Sequence, residues 1–363
     1  MTEDRDVNAD MILTGATTVE EARREIYQLL REASGVKGAS GAKAGVRHAF
    51  APWQIGAVMR ESEAGAGPCR RRRRCRKRDE TMTAERLRCG LIGANLGRSR
   101  FAAGLELLCR AQDLRLEFEL IDSAGQEDFE FDAALEACRA QGWSGVNVTH
   151  PFKTEAAAWL GPRLSPAMRR LGSCNQIVFA ETGAEGRNTD YAGFIAAWRE
   201  AMGAARPGRV AMAGAGGVAR ALGHALADLG AAEVVLWDTR AEQAEALARA
   251  IGPAARAVGV GDVPAVLAEA QGLVNATPLG MHAYPGSAFP LPLPQPPDWV
   301  FDAVYTPVET PLVMAARDVG AAVISGFDLF RHMALSSFEA YTGLAPDTGP
   351  ALAMLDRLKP QED

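Results

Sequence analysis

From residue 88 onward the apolar positions fall into two rhythms. Residues 88–92, Arg88-Cys-Gly-Leu-Ile92, read as a buried strand. Residues 115–120 alternate strictly, with Leu116, Phe118 and Leu120 on one face, which predicts a half-exposed strand. Further strands are predicted at 145–148, 175–179, 210–213, 233–237, 273–275 and 300–303. Between them the spacing turns helical over 100–112, 131–141, 190–202, 217–229, 240–252 and 327–341. Ser165-Pro166 reads as a helix start, with serine as cap and proline in the first turn. The six prolines between Pro285 and Pro297 exclude helix and central strand there.

The alternation of strand and helix predicts an α/β chain with two parallel-rich sheets. We expect a substrate-binding domain over 82–192, a Rossmann dinucleotide-binding domain over 193–315, and C-terminal helices over 316–363. Residues 1–81 do not share this rhythm. One helix, over 18–31, fits their pattern, with nothing evident for it to pack on. We expect a disordered extension there, or a natural start at Met82.

Composition narrows the function classes. The chain has 363 residues, 48% hydrophobic and 23% charged, enough for two cores. The net charge of −6 argues against nucleic acid as the main partner. One run departs from that average. Residues 70–78 hold eight positive charges, leaving −14 for the rest, and a nucleic-acid tether is the alternative to a solvated segment there. The six cysteines are scattered without metal or redox spacing, so we read reduced thiols in a cytoplasmic protein. No apolar run reaches the roughly 20 residues that span a bilayer. We expect a small-molecule partner, no membrane, and a monomer or homodimer.

The nucleotide signal is a G-x-G-x-x-A pattern between a strand and a helix, at Gly214, Gly216 and Ala219. Gly214 makes the tight turn, Gly216 admits a pyrophosphate, and Ala215 and Gly217 complete the loop over the helix N-terminus. Asp238, at the end of the next strand, is where a ribose-binding carboxylate stands. It favours NAD and repels the extra phosphate of NADP, although Arg240 can offset that repulsion. NAD is therefore the preferred cofactor, with NADP as the alternative.

Seven strings stand in one order: GLIGANLGRSRF, GVNVTHPFK, GSCNQIVF, GRNTDYAGF, AGAGGVARA, VNATPLGM and FDAVYTPVETPL. In combination the chain from Cys89 to Gly343 resembles the shikimate/quinate dehydrogenase family. The resemblance implies a substrate domain, a Rossmann domain and a C-terminal helix that returns to the first, with a cleft between. It implies Lys153 and Asp190 as the catalytic pair and Thr149 and Asn175 on the substrate hydroxyls. Ser99 matches a carboxylate-binding hydroxyl, and Tyr305 a tyrosine lining the substrate pocket. Asn275 and Thr277 fall in the loop beside the nicotinamide, and Gly326 is expected at the cofactor.

Three positions depart from the family pattern. Phe101 stands where a second carboxylate-binding hydroxyl belongs, Leu105 where a histidine is usual, and Met333 where a substrate-binding glutamine is usual. Arg100, Arg331 or His332 are the candidates to replace the missing donors. The chemistry implied is removal of a hydride by NAD or NADP and of a proton by Lys153, with Asp190 positioning the hydroxyl and Lys153. The bland readings are a solvated lysine and an aspartate that only caps its helix. His150, His224 and His282 stand near no ligand set, so no metal is expected. Competing readings are a regulatory dinucleotide-binding paralogue that has lost turnover, and a dehydrogenase for a related polyol. If active, the enzyme belongs with the shikimate pathway and aromatic amino acid biosynthesis.

Overall fold

A computed structural model describes residues 86–180 and 183–360. The expectations for the helix over 18–31, the arginine run and Met82 lie outside the described residues. The strands are β1 (Arg86–Gly93), β2 (Arg115–Asp122), β3 (Gly145–Val148), β4 (Gln176–Ala180), β5 (Gly183–Arg187), β6 (Arg209–Ala213), β7 (Glu233–Trp237), β8 (Ala255–Ala257), β9 (Gly272–Asn275), β10 (Trp299–Asp302) and β11 (Ala322–Ser325). The helices are α1 (Phe101–Ala111), α2 (Phe131–Ala140), α3 (Lys153–Leu160), α4 (Pro166–Arg169), α5 (Thr189–Met202), α6 (Gly217–Asp228), α7 (Ala241–Ile251), α8 (Val263–Leu267), α9 (Pro311–Asp318), α10 (Gly326–Thr342) and α11 (Thr348–Leu355).

The first sheet has the order β2-β1-β3-β4-β5. β1 pairs parallel with β2 and β3, while β4 and β5 run antiparallel. β2 is an edge strand, which is why its alternation leaves Leu120 44% exposed. β5, of sequence GAEGR, has no apolar pattern and pairs only because β4 turns back on itself.

The second sheet has the order β11-β10-β9-β6-β7-β8, with every pair parallel. This is the doubly wound dinucleotide-binding order, and its direction reverses between β6 and β9. The sheet runs past residue 315 to Ser325, because α9 crosses over to deliver β11 beside β10. The expected start of the C-terminal unit therefore moves to α10.

Two helices join the lobes. α5 follows the first sheet and packs on the second, with Phe194 edge-on to Phe301 at 4.9 Å and Trp198 edge-on to Trp299 at 4.8 Å. Each such aromatic pair adds about 1 kcal/mol beyond burial alone. α10 starts from a capping box, with Ser325 Oγ accepting from the Asp328 N–H and Asp328 accepting from the Ser325 N–H. It ends at Gly343, whose φ of 67° suits a residue without Cβ. Phe327, Phe330, Ala334 and Phe338 bury one face of α10 against α1 and α11 in the first lobe. The expected return of the C-terminal helix to the substrate domain follows from that packing.

Candidate active site

The site is built where the carboxyl ends of β3 and β6 face each other. β3 ends at Val148, and the chain turns through a cis His150–Pro151 bond into α3, whose first residue is Lys153. Thr149, half-buried, donates its N–H to Ile92 O at 2.9 Å and packs on Gly93. Opposite, α5 begins at Thr189. Its cap is Asn188, whose Oδ1 accepts the Tyr191 N–H at 3.0 Å and whose Nδ2 donates to Ser173 O at 2.9 Å. Asp190 is thus spared the capping role and stands in the first turn with its carboxylate buried. Lys153 Nζ donates to Asp190 Oδ2 at 2.6 Å, with the two side chains 15% and 4% exposed. Neither bland reading survives this geometry.

The Rossmann turn lies against the same lysine. A Cβ built on Gly217 would stand 3.0 Å from Lys153 Cβ. Ser173 Oγ donates to Gly217 O at 3.0 Å, a second link between the lobes. A third is the Arg170–Asp228–Tyr191 cluster, which ties α4 to the far end of α6 and to α5. Burial and the neighbouring Asp228 push the Tyr191 hydroxyl up to about 12.

The nucleotide fingerprint has the form it needs. Gly214 takes a φ of 102°, and a Cβ there would press to 2.8 Å from Ala276 O. Above Gly216 there is open space, and α6 has no side-chain cap, so its first N–H groups face that space unpaired by any side chain. Asp238 accepts the Ala215 N–H at 2.8 Å and the Arg240 N–H at 2.9 Å. Thr239 Oγ1 also donates to Oδ1 at 3.3 Å, so Oδ2 is the oxygen that keeps a lone pair for a ribose hydroxyl. Arg240 is exposed beside it. These residues fit a dinucleotide: pyrophosphate over Gly216, adenosine ribose at Asp238.

The loop after β9 is shaped from within. Asn275 Nδ2 donates to Leu279 O at 2.8 Å and to Asp302 Oδ1 at 2.9 Å. Its Oδ1 accepts from the Thr277 N–H at 3.0 Å and the Thr277 hydroxyl at 2.7 Å. The Asn275 side chain is spent on holding the loop, so its part in the site is indirect. Asp302, fully buried, also accepts from the Val304 N–H and from Thr310 Oγ1 at 2.6 Å. Burial pushes its carboxyl up to about 6, against the pull of those hydrogen bonds. Gly326 sits where a Cβ would come within 2.5 Å of Ala303 O, so close backbone packing requires glycine there.

On the substrate side, the Asn175 amide is locked to Thr189. Its Oδ1 accepts the Thr189 N–H at 2.6 Å and its Nδ2 donates to Thr189 Oγ1 at 3.0 Å. The Tyr305 ring stacks on Phe330 at 5.6 Å, with its hydroxyl beside the Ser99 hydroxyl and the Arg100 N–H. Burial pushes that phenol up, so it is a neutral donor.

A family model described as the shikimate dehydrogenase substrate binding domain matches residues 91–177. The shikimate dehydrogenase (NADP(+)) of Streptomyces avermitilis is 37% identical over 284 residues, 76% of this chain and 97% of that protein. The chain belongs to the shikimate dehydrogenase family. The quinate/shikimate dehydrogenase (NAD(+)) of Corynebacterium glutamicum is 37% identical over 266 residues, 71% of this chain and 94% of that protein. Among solved structures, quinate dehydrogenase from Corynebacterium glutamicum in complex with NAD has a TM-score of 0.68 at 34% identity, covering 74% of this chain and 98% of the other. Shikimate 5-dehydrogenase from Thermus thermophilus in complex with NADP(H) and shikimate has a TM-score of 0.65 at 30% identity, covering 75% and 99%. The family members bind a nicotinamide dinucleotide of either kind by their printed names, and the oxidoreductase class follows for this chain.

Within the family frame, the expected replacement donors need correction. Arg331 is buried in an ion cluster with Glu200, Asp328 and Asp356, and His332 Nε2 meets Glu200 Oε2 at 2.7 Å. Both side chains meet Glu200 of α5. Arg100 donates to Leu358 O at 3.2 Å, toward the C-terminal turn. Phe101 and Leu105 are buried in the core of the first lobe, with the Phe101 ring 6.2 Å from that of Phe118. The sequence analysis assigned no role to Ser173, Thr189 or Asp302, which position other groups, although each lies within one of the strings that carry the resemblance.

Cys89, Cys109, Cys138 and Cys174 are free and buried, and burial pushes the Cys109 thiol up to about 12. No cluster of three His, Cys, Asp or Glu residues with metal-binding geometry occurs among the described residues. No helix among them is long and apolar enough to cross a membrane.

Proposed function

We propose that the protein interconverts a shikimate- or quinate-like cyclic hydroxy acid and its dehydro ketone, with NAD as the preferred partner. The observation that carries this reading is the Lys153–Asp190 pair at 2.6 Å, buried against Gly217 of the nucleotide turn. The dinucleotide, when bound, accepts or donates the hydride. The protein supplies the rest. Lys153 takes or returns the proton of the reacting hydroxyl. Asp190 holds the ammonium and orients that hydroxyl. Thr149 and Asn175 orient neighbouring oxygens, while Ser99 and Tyr305 donate to the substrate carboxylate. Closure of the lobes over the pair excludes water and strengthens each of these contacts.

NAD is preferred because Asp238 presents a carboxylate where NADP would place a phosphate, and both charges are negative. Arg240 moderates the preference. A cytoplasmic site of action agrees with the four buried free thiols.

The test is turnover of shikimate, quinate and related polyols with NAD and NADP, comparing wild type with Lys153→Ala. Loss of the acid–base group should lower turnover by ~100-fold or more while cofactor binding persists. Equal rates would end the assignment. A paralogue that binds dinucleotide without turnover would reduce neither cofactor with any of these substrates.

A further inference from the structure

The turn between α4 and β4 touches the starts of α5, α6 and α3 through successive residues. Ser173 O accepts from Asn188 Nδ2 at 2.9 Å, at the cap of α5. Ser173 Oγ donates to Gly217 O at 3.0 Å, in the first turn of α6. The Cys174 N–H donates to Lys153 O at 2.8 Å, at the first residue of α3. Asn175 Oδ1 then accepts the Thr189 N–H at 2.6 Å, which closes the turn on α5 a second time. Lys153, Asp190 and the glycine turn therefore share one short segment as their support.

The Ser173 hydroxyl carries that support across to the nucleotide lobe. Ser173 is 1% exposed, so water has no room to take its place. Gly217 is held on two sides, by the Lys153 stem against its Cα and by Ser173 at its carbonyl. The space above Gly216 stays open, so the hydroxyl steers the turn without filling the pyrophosphate's place. The Arg170–Asp228 ion pair lies about three turns further along α6 and is partly exposed. It holds the far end of α6, and a helix pinned at one end still swings at the other. A carbonyl has two lone pairs, so Gly217 O keeps its place in the α6 ladder if Ser173 lets go. Removal of the hydroxyl orphans no buried group.

We propose that Ser173 is a positioning residue. Its hydroxyl fixes the distance and angle between the glycine turn that seats the dinucleotide and the Lys153–Asp190 pair that moves the proton. The inference rests on the dehydrogenase reading above. Without the hydroxyl the dinucleotide still binds, because Gly214, Gly216 and Asp238 are untouched. What is lost is alignment at the reacting atoms, where shifts of about 1 Å or less lower the rate.

The experiment compares wild type, Ser173→Ala and Ser173→Thr. It reads hydrogen exchange over residues 216–222 in the cofactor-free protein, the Kd for NAD by fluorescence titration, and kcat and KM with shikimate or quinate. Ser173→Ala should exchange roughly fivefold faster over that turn. It should bind NAD as wild type does and turn over about tenfold more slowly, with KM for the acid little changed. Ser173→Thr keeps the hydroxyl and should recover most of kcat. Should Ser173→Ala melt below wild type, Ser173→Cys replaces it, because its thiol donates weakly, and should show the same split. An unchanged kcat overturns the inference alone. So does a loss that runs wholly through weaker NAD binding, or a Ser173→Thr variant that melts as wild type and is no faster than Ser173→Ala. Absence of turnover in wild type with every acid removes the dehydrogenase reading, and the inference with it.

Discussion

The aliphatic stem of Lys153 lies directly on Gly217: a Cβ at that glycine would stand 3.0 Å from Lys153 Cβ and 3.2 Å from its Cδ. One residue opens the substrate-lobe helix α3 and the other opens the nucleotide-lobe helix α6. Lys153 and the glycine turn of the nucleotide lobe are thereby in direct van der Waals contact. Gly217→Ala should displace the lysine by a few tenths of an ångström. We expect turnover to fall about tenfold, since small misplacements at a reacting centre are costly, with a melting temperature close to wild type. Unchanged turnover in a folded variant would show that the contact does not set the lysine.

Asn188 and Asp190 divide the labour at the start of α5, and mutation should separate them. Asn188→Ala removes the cap and the bond to Ser173 O. It should cost about 1 kcal/mol of stability, measurable by urea unfolding, with a modest effect on rate. Asp190→Asn keeps the cap and should instead lower turnover by ~100-fold or more. The reverse pattern would mean that Asp190 is a structural group.

Asp238→Ala should weaken NAD more than NADP, as read by the KM for each. The same substitution frees the Ala215 N–H, so some loss with both cofactors is expected. If NADP is already the better cofactor in wild type, Arg240 outweighs the carboxylate and the selector argument is wrong.

Asp302 gives the fold a pH signature. Its folded carboxyl is raised to about 6, above the usual unfolded value near 4. The folded state therefore holds a proton that the unfolded chain has released. That contribution is complete below about pH 4 and is lost as pH rises through about 6, amounting to roughly 3 kcal/mol at most. Asp302→Asn removes it. The stability of wild type relative to the variant should decline from pH 4.5 to 7 on urea titration; a constant difference would refute the assignment.

Much of this protein was written in its local pattern. Strand and helix rhythms placed β1 to β4, β6, β7, β9 and β10 because these segments are buried or alternate, and burial is what periodicity records. β5, β8, β11, α3, α8, α9 and α11 escaped: GAEGR, AVIS and TGPALAML, for example, owe their conformations to neighbours that pair or cover them. The proposed site residues Lys153, Asp190, Asn175 and Asp238 were singled out because their strings sit at fixed places between elements.

The sequence by itself determined the two-lobed α/β order and the glycine turn between β6 and α6, since each rests on residues close in the chain. Tertiary structure alone decided which polar groups were already spent. It gave the helix cap to Asn188 and so freed Asp190. It turned Arg331 and His332 to Glu200 and set Met333 against the Asn175 amide. A hydrogen-bonding group has only so many partners, and which ones it meets depends on contacts between segments far apart in the chain.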